Sequence, residues 1–97
     1  MNINYTSKKL ISICIPVKNE SDNIISIYNE IKKLFLNDLI SYDYEIIFTD
    51  NLSSDNSFKI IKDILKNDKN VRGYQFSKNI GKERSLFYAF KKSNGQL

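Results

Sequence analysis

Across 97 residues, 41% hydrophobic and 27% charged side chains with only three glycines and one proline exclude wholesale disorder and a long linker, leaving one domain at most with a small core. The net charge of +4 hides an asymmetry: residues 66 to 97 hold eight Lys or Arg against two acids, and residues 1 to 65 hold seven against nine, which an anion such as phosphate or a plain solvated basic surface would explain. One cysteine and no histidine exclude an internal disulfide, a zinc site and a serine triad.

No apolar run reaches the length of a membrane span, and the polar start around Asn2, Asn4, Thr6 and Ser7 lacks a signal-peptide core, so the expected compartment is the cytoplasm. Met1 to Lys9 shows no periodicity and reads as a loose lead-in. Leu10 to Ile15 follows as a near-continuous apolar run, the pattern of a strand covered on both faces in a parallel sheet. Pro16 is expected to end its ladder for want of an amide hydrogen. Cys14 lies inside that run and reads as a small buried hydrophobe.

Ser21 or Asp22 is placed to cap a first helix, whose Ile24, Ile27, Tyr28, Ile31, Leu34 and Phe35 recur at helical spacing and predict one packed stripe. Leu39 and Ile40 fall in the return and are expected to tuck against the helix end. Tyr44 to Thr49 is a second apolar strand that stops at a carboxylate, Asp50, and turns through Asn51, Leu52, Ser53 and Ser54. A second amphipathic helix carries Phe58, Ile61, Ile64 and Leu65, with Ser54 or Asp55 as its cap. Val71 to Phe76 predicts a third strand with Gly73 as its weak point. After the turn Ser77 to Gly81, a third helix over Lys82 to Lys92 is expected to pack Leu86, Phe87, Ala89 and Phe90, with Gly95 as its stop.

Three strand-helix repeats with short connections imply an α/β fold with a parallel sheet and right-handed crossovers. The three strand ends then share one edge, where open α/β sheets bind ligands. Carboxylates at Glu20 and Asp50 suit a base or ribose, and cations at Lys18, Lys78, Lys82 and Arg84 suit a diphosphate. No Gly-x-Gly-x-x-Gly follows the first strand, and no P-loop is present. Tyr74 and Phe76 alternate with the period of a strand core rather than as an RNA-binding sheet, so no nucleic-acid partner is expected.

Ile13 to Glu20, with Pro16-Val17-Lys18-Asn19-Glu20, resembles the first strand and loop of the family 2 inverting glycosyltransferases. Tyr44 to Ser57 is similar to their second strand and turn, and Phe76-Ser77-Lys78-Asn79-Ile80-Gly81-Lys82 to the Ser-Arg-Asn-x-Gly-Lys segment of the polyprenyl-phosphate (dolichyl-phosphate) sugar transferase branch. The resemblance runs from about Ile11 to Gly95. It implies the Rossmann-like GT-A fold, a three-layer α/β/α arrangement with a parallel sheet of about three strands here, binding a nucleoside diphosphate sugar of UDP or GDP type. By resemblance, Pro16, Val17 and Glu20 line the base and ribose pocket, Asp50 bonds the base, Asn51 stands in the same turn, and Asn79, Gly81 and Lys82 wall the diphosphate, with Arg84 beside them. Lys18 replaces the usual aromatic, Asn51 a second Asp, and Leu52 a Gly.

The family continues into a fourth strand ending in Asp-x-Asp, whose carboxylates hold Mg²⁺ or Mn²⁺. This chain stops at Leu97 before such a strand, so the resemblance implies a fragment or truncated product, residues 1–97 forming the N-terminal nucleotide-binding half. It holds no metal ligand or catalytic base and does not turn over alone. In the complete enzyme the acceptor implied is a polyprenyl phosphate, at the inner face of the membrane in cell-envelope polysaccharide synthesis. Strand 10–15, lacking that neighbour, is expected to be an exposed edge that self-associates. Two other readings stand beside this one: a receiver-like module phosphorylated on Asp50, and a non-catalytic interaction module.

Overall fold

The computed structural model describes residues 8–94. Strands β1 (Lys9–Val17), β2 (Tyr42–Asp50) and β3 (Val71–Gln75) alternate with helices α1 (Ile24–Asn37), α2 (Ser57–Asn67) and α3 (Lys82–Lys92). The sheet is parallel in the order β1-β2-β3. Most of the expected lead-in and the expected stop at Gly95 lie outside the described residues, and Lys9 already belongs to β1.

Strand alternation sorts the sheet's two faces. Val17, Ile46, Phe48 and Val71 pack with Ile24 of α1 and Ile61 and Ile64 of α2 into the main core, which Tyr28, Ile31, Tyr44, Phe58 and Leu65 flank. The opposite face meets α3, where the Ser85 hydroxyl bonds Thr49 Oγ1 at 2.6 Å. Tyr88 stands edge-on to Tyr74 and Phe76, with ring centroids 5.3 and 5.2 Å away. Helices therefore cover both faces, as the three-layer reading requires.

Several details depart from the sequence reading. The β1 ladder runs through Pro16, which pairs with Thr49, to Val17, which pairs with Asp50. Val17 C=O accepts from Asn51 N–H at 2.9 Å, so Val17 turns its polar groups toward β2, and alternation turns those of Pro16 to the open side. The missing amide costs the ladder nothing there. In α1 the buried line is Ile24, Tyr28, Ile31 and Phe35, while Ile27 and Leu34 stay 38% and 41% exposed. Ile40 is likewise exposed.

In α3 the buried residues are Ser85 and Ala89, and Phe87 and Phe90 face outward. A helix held by a 2.6 Å Ser85–Thr49 bond lies too close to the sheet for a phenylalanine between them. The helix caps also shift. Asn23 and Asn56 occupy the N-cap positions without side-chain capping bonds, and Asp55 instead accepts from Ser57 N–H at 2.9 Å, one residue ahead of the cap.

Gly73 is a contact point rather than a weak one. A Cβ built there would come within 2.6 Å of Ile61 Cγ2 and 3.3 Å of Leu65 Cδ2, so the absence of a side chain lets α2 seat on β3.

Two polar clasps tie the sheet at the end away from the strand termini that carry the loops. Tyr28 and Tyr44 both donate to Asp68 Oδ2, at 2.6 and 2.7 Å, and Asn70 N–H donates to its Oδ1. Burial opposes the Asp68 charge, but these donors outweigh it and hold the carboxyl below its ordinary range. Burial and the hydrogen bond to Asp68 push the Tyr28 phenol up to about 12. On the other face the largely buried Glu45 pairs with Arg72 at 2.8 Å and accepts from Ser12 and from Asn94 N–H. Its carboxyl is also held low, against the opposing effect of burial.

Candidate functional site

All three strand ends reach one edge, where a cavity of about 330 Å³ opens, within the size range of small-ligand sites. Its lining is Pro16, Val17, Lys18, Glu20, Asn51, Asn79, Gly81 and Lys82. Seven of these are among the eight residues that the family resemblance assigns to a nucleotide, and Lys18 is one of the cations that suit a diphosphate; they come from three strand-end segments about thirty residues apart. The eighth residue so assigned, Asp50, lies beneath the cavity.

The first two loops are cross-tied. Asn19 takes φ +53°, which turns its backbone N–H onto Ser53 Oγ at 2.8 Å while its Oδ1 accepts from Ser54 N–H at 2.8 Å. Glu20 N–H donates to Ser57 Oγ and Ser21 N–H to Asp55 Oδ2. Hydrogen bonding, that of the Ser57 hydroxyl first, holds the Asp55 carboxyl down to about 2. Lys18 bridges the loops from the side, donating from Nζ to the carbonyls of Asn51 at 3.1 Å and Leu52 at 2.8 Å. An ammonium with that task replaces the aromatic that the family resemblance predicts there.

Leu52 has φ +57°, a left-handed conformation that favours glycine and costs a side-chain-bearing residue roughly 1–2 kcal/mol. The Lys18 bond to its carbonyl and the bonds that Ser53 makes to Asp50 hold the turn in that shape.

Asp50 is fully buried. Its carboxylate accepts from Ser53 N–H at 3.1 Å, from the Ser53 hydroxyl, and from Gln75 Nε2 at 3.2 Å. The charge is thus consumed inside the turn, with no exposed oxygen to take a phosphoryl group as a receiver-like module requires. Gln75 escapes the sequence reading because nothing in its own neighbourhood marks it; only the β2–β3 register, which pairs it with Asp50, brings the two together.

The third loop meets the second through Asn51, which is 4% exposed. Its Nδ2 donates to Gly81 C=O and its Oδ1 accepts from Ile80 N–H, both at 3.4 Å. Asn79 Oδ1 accepts from Gly81 N–H at 2.9 Å, and Gly81, at φ +89°, turns the chain into α3. A side chain would be strained at that φ, which accounts for the glycine. Lys82 and Arg84 lie exposed in the first turn of α3, adding positive charge beside the backbone donors of a helix start. Among the described residues no three His, Cys, Asp or Glu side chains cluster as a metal site would need.

Residues 12–97 match the model of the family described as "Glycosyl transferase family 2". Among curated proteins, the chain is 40% identical over 87 residues to "Putative glycosyltransferase CsbB" of Bacillus subtilis (strain 168), covering 90% of this chain and 26% of that protein. It is 33% identical over 85 residues to the prophage bactoprenol glucosyl transferase homolog of Escherichia coli (strain K12), covering 88% and 27%. With the undecaprenyl-phosphate 4-deoxy-4-formamido-L-arabinose transferase of Aeromonas hydrophila it shares 30% over 97 residues, covering 98% and 29%. The chain thus spans about a quarter of the length of these relatives.

Proposed function

Since the chain belongs to glycosyl transferase family 2, we propose that its cavity binds the donor of a sugar transfer, a nucleoside diphosphate sugar of UDP or GDP type. The observation that carries this reading is the gathering of Pro16, Val17, Glu20, Asn51, Asn79, Gly81 and Lys82 around one cavity at the strand ends. The apolar Pro16, backed by the buried Val17, offers surface for a base, Glu20 an acceptor for ribose hydroxyls, and Lys82 with the start of α3 a counter-charge for the diphosphate. Asp50 holds the turn beneath them.

In the complete enzyme an acceptor oxygen attacks the anomeric carbon as the bond to the diphosphate breaks and inverts its configuration. The relatives' names speak of bactoprenol and undecaprenyl phosphate, and we place the acceptor of this protein in the same polyprenyl-phosphate class, met at the cytoplasmic face of a membrane. No helix among the described residues is long and apolar enough to cross one. Mg²⁺ or Mn²⁺ serves such chemistry by neutralising the diphosphate. We place its ligands and the catalytic base outside this stretch, as the family resemblance implies, with these 97 residues binding the donor without turnover. Self-association through the outer side of β1 belongs to the same proposal, because β1 has a strand neighbour only in β2 among the described residues.

NMR titration of the chain with UDP, GDP and their sugars tests the donor site. Saturable shifts are expected at the amides of Val17, Glu20, Asn51, Asn79 and Gly81. Their absence with every ligand would remove the claim.

A further inference from the structure

Two hydroxyls buried between α3 and β2 lie within a few residues of the cavity wall on either side. Ser85 and Thr49 have no exposed surface, and the Ser85 hydroxyl donates to Thr49 Oγ1 at 2.6 Å, with Thr49 C=O 3.5 Å away. Ser85 N–H donates to Gly81 C=O at 3.1 Å, and the same oxygen accepts from Asn51 Nδ2 at 3.4 Å, two residues after Thr49. Thr49, Ser85, Gly81 and Asn51 thus close a circuit whose shortest link is the hydroxyl pair. Granted the donor site proposed above, on which this inference rests, we propose that Ser85 and Thr49 are positioning residues for it. They set the spacing between the β2 turn and the start of α3, and so hold Gly81 and Lys82 in the cavity wall.

Distances assign this task to the buried pair. The direct ties from Asn51 to Ile80 and Gly81 are both 3.4 Å, longer than a typical N–H···O bond, so they follow the wall rather than fix it. The other restraints on α3 act further along the helix. Tyr88 stands edge-on to Tyr74 and Phe76, and Arg72 donates to Lys92 C=O at the far end. Ser85 is therefore the side chain that pins the first turn. Two hydrogen-bonded oxygens sit comfortably at 2.6 Å, whereas a methyl group in place of one needs roughly 3.5 Å. Moving the start of α3 outward by about 1 Å would carry both Asn51 contacts beyond hydrogen-bond reach and widen the cavity.

Thr49→Val puts a methyl where that oxygen stands and keeps the side chain's shape. In NMR titrations of the 97-residue chain with UDP and with GDP, well below the melting temperature, it should weaken the nucleotide that the wild type binds by about fivefold or more. The Gly81 and Lys82 amides should also shift in the ligand-free spectrum. Adding Ser85→Ala removes the facing oxygen and makes room for the methyl, so the double variant should return to within about twofold of wild type. Thr49→Ser keeps the oxygen and should also bind within about twofold of wild type, although its lost methyl lowers the melting temperature. Should Thr49→Val fail to fold, Ser85→Cys serves as a milder wedge, because sulfur needs more room than oxygen, with an expected loss of about twofold or more. A pair with a structural role alone would change the melting temperature and leave the affinity of the folded chain where it was. Wild-type affinity in a folded wedge variant, a double variant no tighter than Thr49→Val, or a comparable loss in Thr49→Ser would each overturn the proposal. If neither UDP nor GDP binds the wild type, the donor-site reading falls and takes this one with it; binding that ignores the wedge sinks only this one.

Discussion

Adding one methyl group at Gly73 tests how tightly α2 is seated on the sheet, and hence what fixes the strand end that carries the third loop. In Gly73→Ala the new Cβ would stand 2.6 Å from Ile61 Cγ2 and 3.3 Å from Leu65 Cδ2. Carbon atoms prefer roughly 3.5–4.0 Å, so the first contact is about 1 Å too close. Ile61 is fully buried, and its β-branched χ1 has one strongly preferred well in a helix. Relief must therefore come from moving helix against strand, and overpacking of that kind costs about 1–3 kcal/mol. Replacing a strand glycine returns at most about 1 kcal/mol through backbone entropy, which leaves a net loss near 1–2 kcal/mol. For a domain of this size that corresponds to roughly 4–16 °C in Tm.

A double-mutant cycle separates the clash from any general intolerance. Ile61→Ala alone removes Cγ2 and should cost about 2–5 kcal/mol through the cavity it leaves. In the Gly73→Ala, Ile61→Ala pair the alanine methyl moves into that space, so the double variant should be at least 1 kcal/mol more stable than the sum of the singles. Urea unfolding followed by circular dichroism, with unchanged m-values, gives all four corners. Additivity within about 0.5 kcal/mol, the behaviour of independent sites, would refute the close-packing argument.

Leu52→Gly should stabilise the chain by about 1 kcal/mol in the same assay, since it relieves a φ of +57°; Leu52→Ala, with its Cβ retained, should not. The Asp68 carboxyl is held below its unfolded value, so its contribution is present above about pH 3.9 and lost as pH falls through the lowered folded value; Asp68→Asn should flatten that acid limb in pH-dependent melts. Tyr28 is raised to about 12, so its contribution is intact below about pH 10 and lost as pH rises toward 12; Tyr28→Phe should remove that share of the alkaline loss and leave the share of Tyr44, which burial and the same carboxylate also raise. Glu45→Ala should cost about 1–3 kcal/mol in urea, less than a fully buried pair because the Arg72 side chain is 35% exposed. In sedimentation velocity the chain should show a weight-average mass that climbs with concentration, and a monomer at every concentration would dismiss association through β1.

The order of elements and the convergence of three loops were legible because strand-helix alternation and short connections leave few alternative topologies. The same logic brought the three loop segments to one edge, while the individual lining residues, Pro16, Asn51 and Gly81 among them, came from the family resemblance. What stayed hidden depends on direction and distance across the sheet. Phe87 and Phe90 weigh heavily in any periodicity argument, yet the close approach of α3 selects Ser85 and Ala89 for the inner face. Asp50 ends its strand as expected, but which side its carboxylate turns to is decided by Ser53 and by Gln75, the latter 25 positions away. Pro16 reads as a stop until one knows that its nitrogen faces outward.

The side-chain bonds that knit residues 18–21 to residues 51–57 make those two segments one solid piece. Residues 77–81 lean on that piece through the two long contacts of Asn51. The pocket is thereby a vice with one fixed jaw and one adjustable jaw. Exchanges within the five residues of the second jaw should therefore leave the join between residues 18–21 and residues 51–57 intact.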